Sequence, residues 1–236
     1  LETQKNPKNT WTVNFWQTDL SLTYLLFFLM ITVFVIYPIT HKGFFSELLF
    51  AFFVGLSFLS GIFSVTHKLR GRAIAVGASL LLVIIGFVIL MIGRHLSDIV
   101  YLAIVMVYLA TLAGLLIKEI FSDDEVNIHR LQGAVAVYIL FALIFSFAFR
   151  ITYILDHTSF HFGDFHAESE GGKVVPFEFL YFSFIILTTM GYGEILPVGH
   201  YAQSLAMIES LIGVLFPSIL ISRLVSLVSF KRKIQH

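Results

Sequence analysis

The chain has 236 residues, 58% of them hydrophobic, with 26 Phe and only 13% charged. Soluble domains carry about twice that charged fraction, and fifteen Lys and Arg against fifteen Asp and Glu leave no basic excess to bind nucleic acid. The absence of cysteine excludes disulfides, thiolate metal centres and cysteine nucleophiles.

Trp11 and Trp16 come first, at the headgroup level before the first apolar run. That run lacks a small-residue cleavage site and is followed by others like it, so it reads as a membrane span, not a signal peptide. A span needs about 20 mainly apolar residues. Six runs come near that length: 20–37, 44–63, 74–92, 99–117, 131–154 and 201–227. With the N-terminus in the cytoplasm, eleven of the fifteen basic residues fall inside and only Lys42, Arg94, Arg150 and Lys173 outside, as the positive-inside rule prefers. Both termini are then cytoplasmic. "SDDE", Ser122–Glu125, has the form of a capping box that opens a new helix after the fourth run.

Between the fifth and sixth runs, on the outer side, lies "DHTSFHFGDFHAESEGG" and then "VVPFEFLYFSFIILTTMGYGEILPVGH". Pro176 suits a first helical turn. The apolar stretch from there to Leu187 spans about 18 Å as a helix, too short to cross a bilayer. Two glycines then stop it, and Pro197 helps turn the chain outward. Irregular backbone at membrane depth is tolerated only when buried in protein or lining water. Gly191 and Gly193 can take positive φ, which allows an alternating backbone whose successive carbonyls point one way. A ring of such carbonyls can replace the hydration shell of a weakly hydrated monovalent cation. One strand cannot enclose an ion; four copies around an axis can.

"TTMGYGE", residues 188–194, resembles the Thr-Val-Gly-Tyr-Gly-Asp filter of potassium channels. With the aromatic-rich pore helix, "ILP" after it, "HRLQGAVAVYIL" and "SLAMIESLIGVLFPSILISRLVSLVS", residues 120–230 are similar to the prokaryotic potassium channel family that carries one pore loop per chain. The first four runs resemble the family's extra helices only in hydropathy. The resemblance implies an all-α membrane protein with six transmembrane helices, a re-entrant pore helix and selectivity filter, and a homotetrameric pore in the inner (plasma) membrane. It divides the chain into an interfacial N-terminus (1–19), a four-helix domain (20–121), a pore domain (122–230) and a basic tail (231–236).

Carried onto this chain, the resemblance implies that the Thr189 hydroxyl and the carbonyls of Thr189, Met190, Gly191 and Tyr192, with Gly193 closing the row, bind K⁺. No other cofactor is implied; the partners are K⁺, with Na⁺ and Rb⁺ as competitors, membrane lipids and three further copies of the chain. Met190 stands where the family usually has valine and Glu194 where it has aspartate, so a weakly selective monovalent cation channel is the alternative. Tyr181, eight residues before Thr189, is expected to donate to Glu194 and brace the filter. Glu209, an intramembrane carboxyl, is read as a brace bonded to the Thr188 hydroxyl or as a protonated packing residue. Gly213 and Pro217 make either a flexible gating hinge or a permanently bent, closely packed helix.

The fourth run carries no Arg or Lys between 99 and 117. Each charge moved across the field supplies about 2.3 kcal/mol per 100 mV, so steep voltage gating is not expected. His157, His161, Asp164 and His166 are residue types that bind zinc or copper, in a spacing that fits no closed zinc motif; a solvated loop is the simpler reading. No His-Glu-x-x-His helix is present, so an enzyme is not expected, and a potassium transporter would need four pore-loop units per chain.

Overall fold

The computed structural model describes residues 20–36, 95–121, 128–163 and 178–234. The second and third expected spans, Trp11, Trp16, the Ser122–Glu125 box, Pro176, Asp164 and His166 lie outside the described residues.

The first expected span is helical from its start: α1 covers Leu20–Met30 and continues as a π-helical stretch over Ile31–Ile36. Leu25, Leu29 and Val33, four residues apart, form its buried stripe. α2, His95–Ile120, buries Leu102, Val105, Leu109, Leu112 and Leu116, a three-and-four spacing that puts all five on one face. That face packs on α3, Ile128–Leu155. α3 touches α1, α2, the short helix α4 (Glu178–Leu187) and α5 (His200–Ile234). With four helical neighbours, it has 56% of its apolar span buried, against 33% for α2 and 17% for α5.

Among the described residues three helices are long and apolar enough to cross a membrane: Ile99–Lys118, Leu131–Leu155 and His200–Ser226. Each lies within two residues of an expected span. α1 contributes the shorter apolar stretch Thr23–Val35. α4 has ten residues, about 15 Å of helix, and it stops short of crossing, as its length in the sequence requires.

One element departs from an all-α reading. β1, Phe160–Phe162, pairs antiparallel with β2, Ile195–Pro197, in the register Phe160–Pro197, His161–Leu196 and Phe162–Ile195. The ribbon ties the chain leaving α3 to the chain leaving the glycine-rich segment. Its anchor is "TSF": the Thr158 N–H and hydroxyl both donate to Asp156 Oδ1 (2.9 and 2.6 Å), and the buried Ser159 carbonyl accepts from the Val198 and Gly199 amides (2.8 and 3.0 Å). A Cβ on Gly199 would stand 3.0 Å from Ser159 Cα, so a side chain there would have to push the two backbones slightly apart. Those hydroxyl and amide donors hold the Asp156 carboxyl below the usual carboxylate range.

Phe160 then drops into an aromatic cluster with Phe149, Phe179 and Phe182. Its ring meets those three edge-on at 5.8, 5.3 and 5.6 Å. Such pairs contribute about 0.5–1.5 kcal/mol each beyond the area they bury. The cluster joins α3, α4 and the ribbon into one support.

Candidate functional site

A helix leaves its last four carbonyls without intrahelical partners. In α4 all four are satisfied, and the donors define the site. Phe184 O accepts the Thr188 amide (3.0 Å) and the Thr188 hydroxyl (2.6 Å). Ile185 O accepts the amides of Met190 (2.9 Å) and Gly191 (3.2 Å), and Ile186 O that of Thr189 (2.9 Å). Leu187 O accepts the Tyr138 hydroxyl of α3 at 2.8 Å. The segment 188–191 is thus folded back under the end of its own helix.

Beyond it the backbone alternates. Thr189, Gly191 and Gly193 have φ of +61°, +53° and +83°, while Met190 and Tyr192 between them are not in the positive-φ region. Glycine enters that region without strain. A β-branched threonine does so only at a cost of about 1–3 kcal/mol, and persists there only where the surroundings impose it. Positive φ at every second residue is the backbone pattern that the two glycines allow. Residues 188–194 are all exposed in the single chain, with Met190 57% and Tyr192 60% exposed. A Cβ on Gly191 or Gly193 would meet nothing, so these glycines answer to dihedral angle and not to crowding.

The outer end is tied at Glu194. The Tyr181 hydroxyl of α4 donates to Glu194 Oε2 at 2.8 Å, the hydrogen bond expected from the sequence, and the Glu194 carbonyl accepts the Gly163 amide at 2.9 Å. The inner side holds a correction. Glu209 of α5 is fully buried, but it meets Ser183 of α4 and not Thr188, whose hydroxyl is turned back to Phe184 O. The Ser183 hydroxyl also contacts the Ala142 carbonyl of α3 at 2.8 Å. One hydroxyl hydrogen cannot serve two acceptors; both contacts are satisfied when Glu209 supplies a hydrogen to Ser183 Oγ and Ser183 donates onward to Ala142 O. Three elements are pinned at this point. Glu209 Oε2 has no hydrogen-bond partner among the described residues.

Gly213 is buried on α5, and a Cβ there would stand 2.0 Å from Leu187 O. The close packing is therefore explicit. α5 is helical without a break through Gly213 and Pro217. Nearer its C-terminal end, the Arg223 guanidinium sits 4.9 Å over the Phe121 ring, just past α2, a cation–π contact.

His157 and His161 are both exposed; His157 packs on Tyr153 (4.8 Å between rings) and His161 sits in β1. Among the described residues no three His, Asp or Glu side chains are grouped to hold a metal.

Ser183 and Tyr138 were not singled out from the sequence. Each had a signal, a hydroxyl in an apolar run: Ser183 beside Tyr181 in "FLYFSFIIL", and Tyr138 alone in "GAVAVYILFALIF". Polar groups inside hydrocarbon find partners on neighbouring helices.

A family model described as an ion channel matches residues 137–230, from the third turn of α3 to within a few residues of the end of α5. No curated protein and no solved structure matches the chain. The match supports an ion channel, and with the apolar helices a membrane protein.

Proposed function

We propose that the chain is the subunit of a potassium-selective channel that conducts K⁺ passively through a homotetrameric pore. The observation that carries this reading is the alternation of positive φ at 189, 191 and 193 in an uncovered segment at the end of a half-length helix. The backbone carbonyls of Thr189, Met190, Gly191 and Tyr192, together with the Thr189 hydroxyl, line the ion path and take the place of the hydration shell. Each chain supplies one wall, so four identical chains close the ring. Tyr181 with Glu194, and Ser183 with Glu209, brace the filter from its two ends. The absence of basic residues in 99–117 supports a channel without steep voltage gating.

A second reading is a weakly selective monovalent cation channel. It draws on Met190: the flexible side chain finds little cover within its own chain. Flux from proteoliposomes under opposed K⁺ and Na⁺ gradients decides between them. K⁺ flux with little Na⁺ flux supports the first, comparable fluxes the second, and no flux of either ion removes both.

A further inference from the structure

Three observations converge on one peptide group at the base of the filter. The Tyr138 hydroxyl donates to the Leu187 carbonyl from 49 residues away in sequence. The Gly213 backbone lies against that same oxygen, close enough that a Cβ would overlap it. The Tyr138 ring stacks on Phe216 of α5, centroids 6.4 Å apart and planes 24° from parallel, and Phe216 meets Phe141 of α3 edge-on at 5.4 Å. Leu187 is the last residue of α4, and the strained Thr189 follows two residues later.

We propose that Tyr138 is a positioning residue of the filter: its hydroxyl holds the Leu187 peptide against Gly213, setting where the filter strand begins and tying it to α5. This deepens the channel reading and rests on residues 189–193 being the ion path. The Leu187 side chain is fully buried, and a buried carbonyl stripped of its donor is left with its full desolvation penalty. Without the hydroxyl the peptide turns toward another donor, and Thr188 and Thr189 turn with it. The positive φ of Thr189 survives only while its surroundings impose it, and the clamp is two residues upstream. The same geometry makes the contact two-way. Because Gly213 meets Leu187 backbone to backbone, with no flexible side chain between them, a shift of α5 at this level displaces the Leu187 carbonyl directly.

Tyr138→Phe isolates the hydroxyl, since the phenylalanine ring keeps the stack on Phe216. The full chain in proteoliposomes is compared with Tyr138→Phe under K⁺ and Na⁺ gradients. In parallel, amide hydrogen exchange is followed over residues 184–196. The K⁺/Na⁺ flux ratio is expected to fall about fivefold, the population shift one lost hydrogen bond supports, with assembly unchanged and exchange over 184–196 accelerated. An unaltered ratio with unaltered exchange overturns the proposal. So does a loss of assembly or total flux that leaves both the ratio and the exchange at wild-type values, because a merely structural tyrosine would give that result. If the wild-type chain passes no ions or does not discriminate between them, the potassium-channel reading falls, and the exchange measurement alone decides: acceleration in Tyr138→Phe keeps the clamp, and no change removes it.

Discussion

The two sides of the glycine-rich segment differ in how far a single chain completes them. Behind it, one chain supplies everything: the phenylalanine cluster, Ser183 between Glu209 and Ala142, Tyr138 on Leu187, and the ribbon at the outer end. In front of it, the described residues supply no cover. Residues 188–194 are uncovered, and α5 exposes Tyr201, Met207, Leu211, Val214 and Ile219 along its length. Exposed apolar surface of this extent marks an interaction face or a lipid-facing one. The support is intramolecular; under the proposed function, the uncovered face is the one that meets other copies. The positive-φ angles of this segment are thus already set within one chain, by contacts that lie behind it.

Substitutions behind the glycine-rich segment should therefore act on the single chain. The largest effect is expected for Gly213→Ala. Its Cβ would overlap Leu187 O, backbone that cannot swing aside, so a loss of about 3 kcal/mol is expected, read as a lowered unfolding temperature of the purified protein. Wild-type stability in that variant would mean that α5 can back away from α4, and the rear support would not be the finished unit described above.

Glu209→Ala comes next, at about 2 kcal/mol, because it removes a fully buried partner of Ser183 and leaves a void. Glu209→Gln keeps an N–H donor for Ser183 Oγ and is expected to cost less than half as much. Equal losses in the two variants would argue that the hydrogen comes from Ser183 and that Glu209 is held as a carboxylate. Tyr181→Phe lies at the join between the two sides. It removes the bond to Glu194, which is exposed, so about 0.5–1 kcal/mol is expected, together with altered conductance. A variant identical to wild type in both would detach Tyr181 from the filter.

The smallest effect is electrostatic. The Thr158 donors hold the Asp156 carboxyl below its ordinary range. The stabilisation they provide is thus present above the ordinary carboxylate pKa and is lost as pH falls through the depressed value. Asp156→Asn should unfold slightly earlier than wild type at neutral pH and match it in strong acid. A difference that persists at low pH would assign the turn's stability to something other than the charge.

Several features follow from the sequence alone because they are properties of consecutive residues. Hydropathy adds up along a run, so the three described spans lie within two residues of the runs that announced them. Glycine's tolerance of positive φ belongs to the residue, so "GYG" already carried two of the three left-handed positions. Tyr181 and Glu194 are both close in sequence to the turn they bracket, which brought their hydrogen bond within reach. What could not be read there depends on how helices far apart in sequence are rotated against one another. Glu209 could be seen as a buried carboxyl, but only the phase of α5 against α4 gave it Ser183 and denied it Thr188. Gly213 suggested a hinge or close packing, and the packing became visible only with Leu187 beside it. The Phe160–Pro197 pairing and the Tyr138 clamp join residues dozens of positions apart. Local chemistry sets which segments are long and apolar enough to cross a membrane and which is too short; the partner each buried polar group meets is decided by packing, where a rotation of one residue, about 100° of helix, exchanges one neighbour for another.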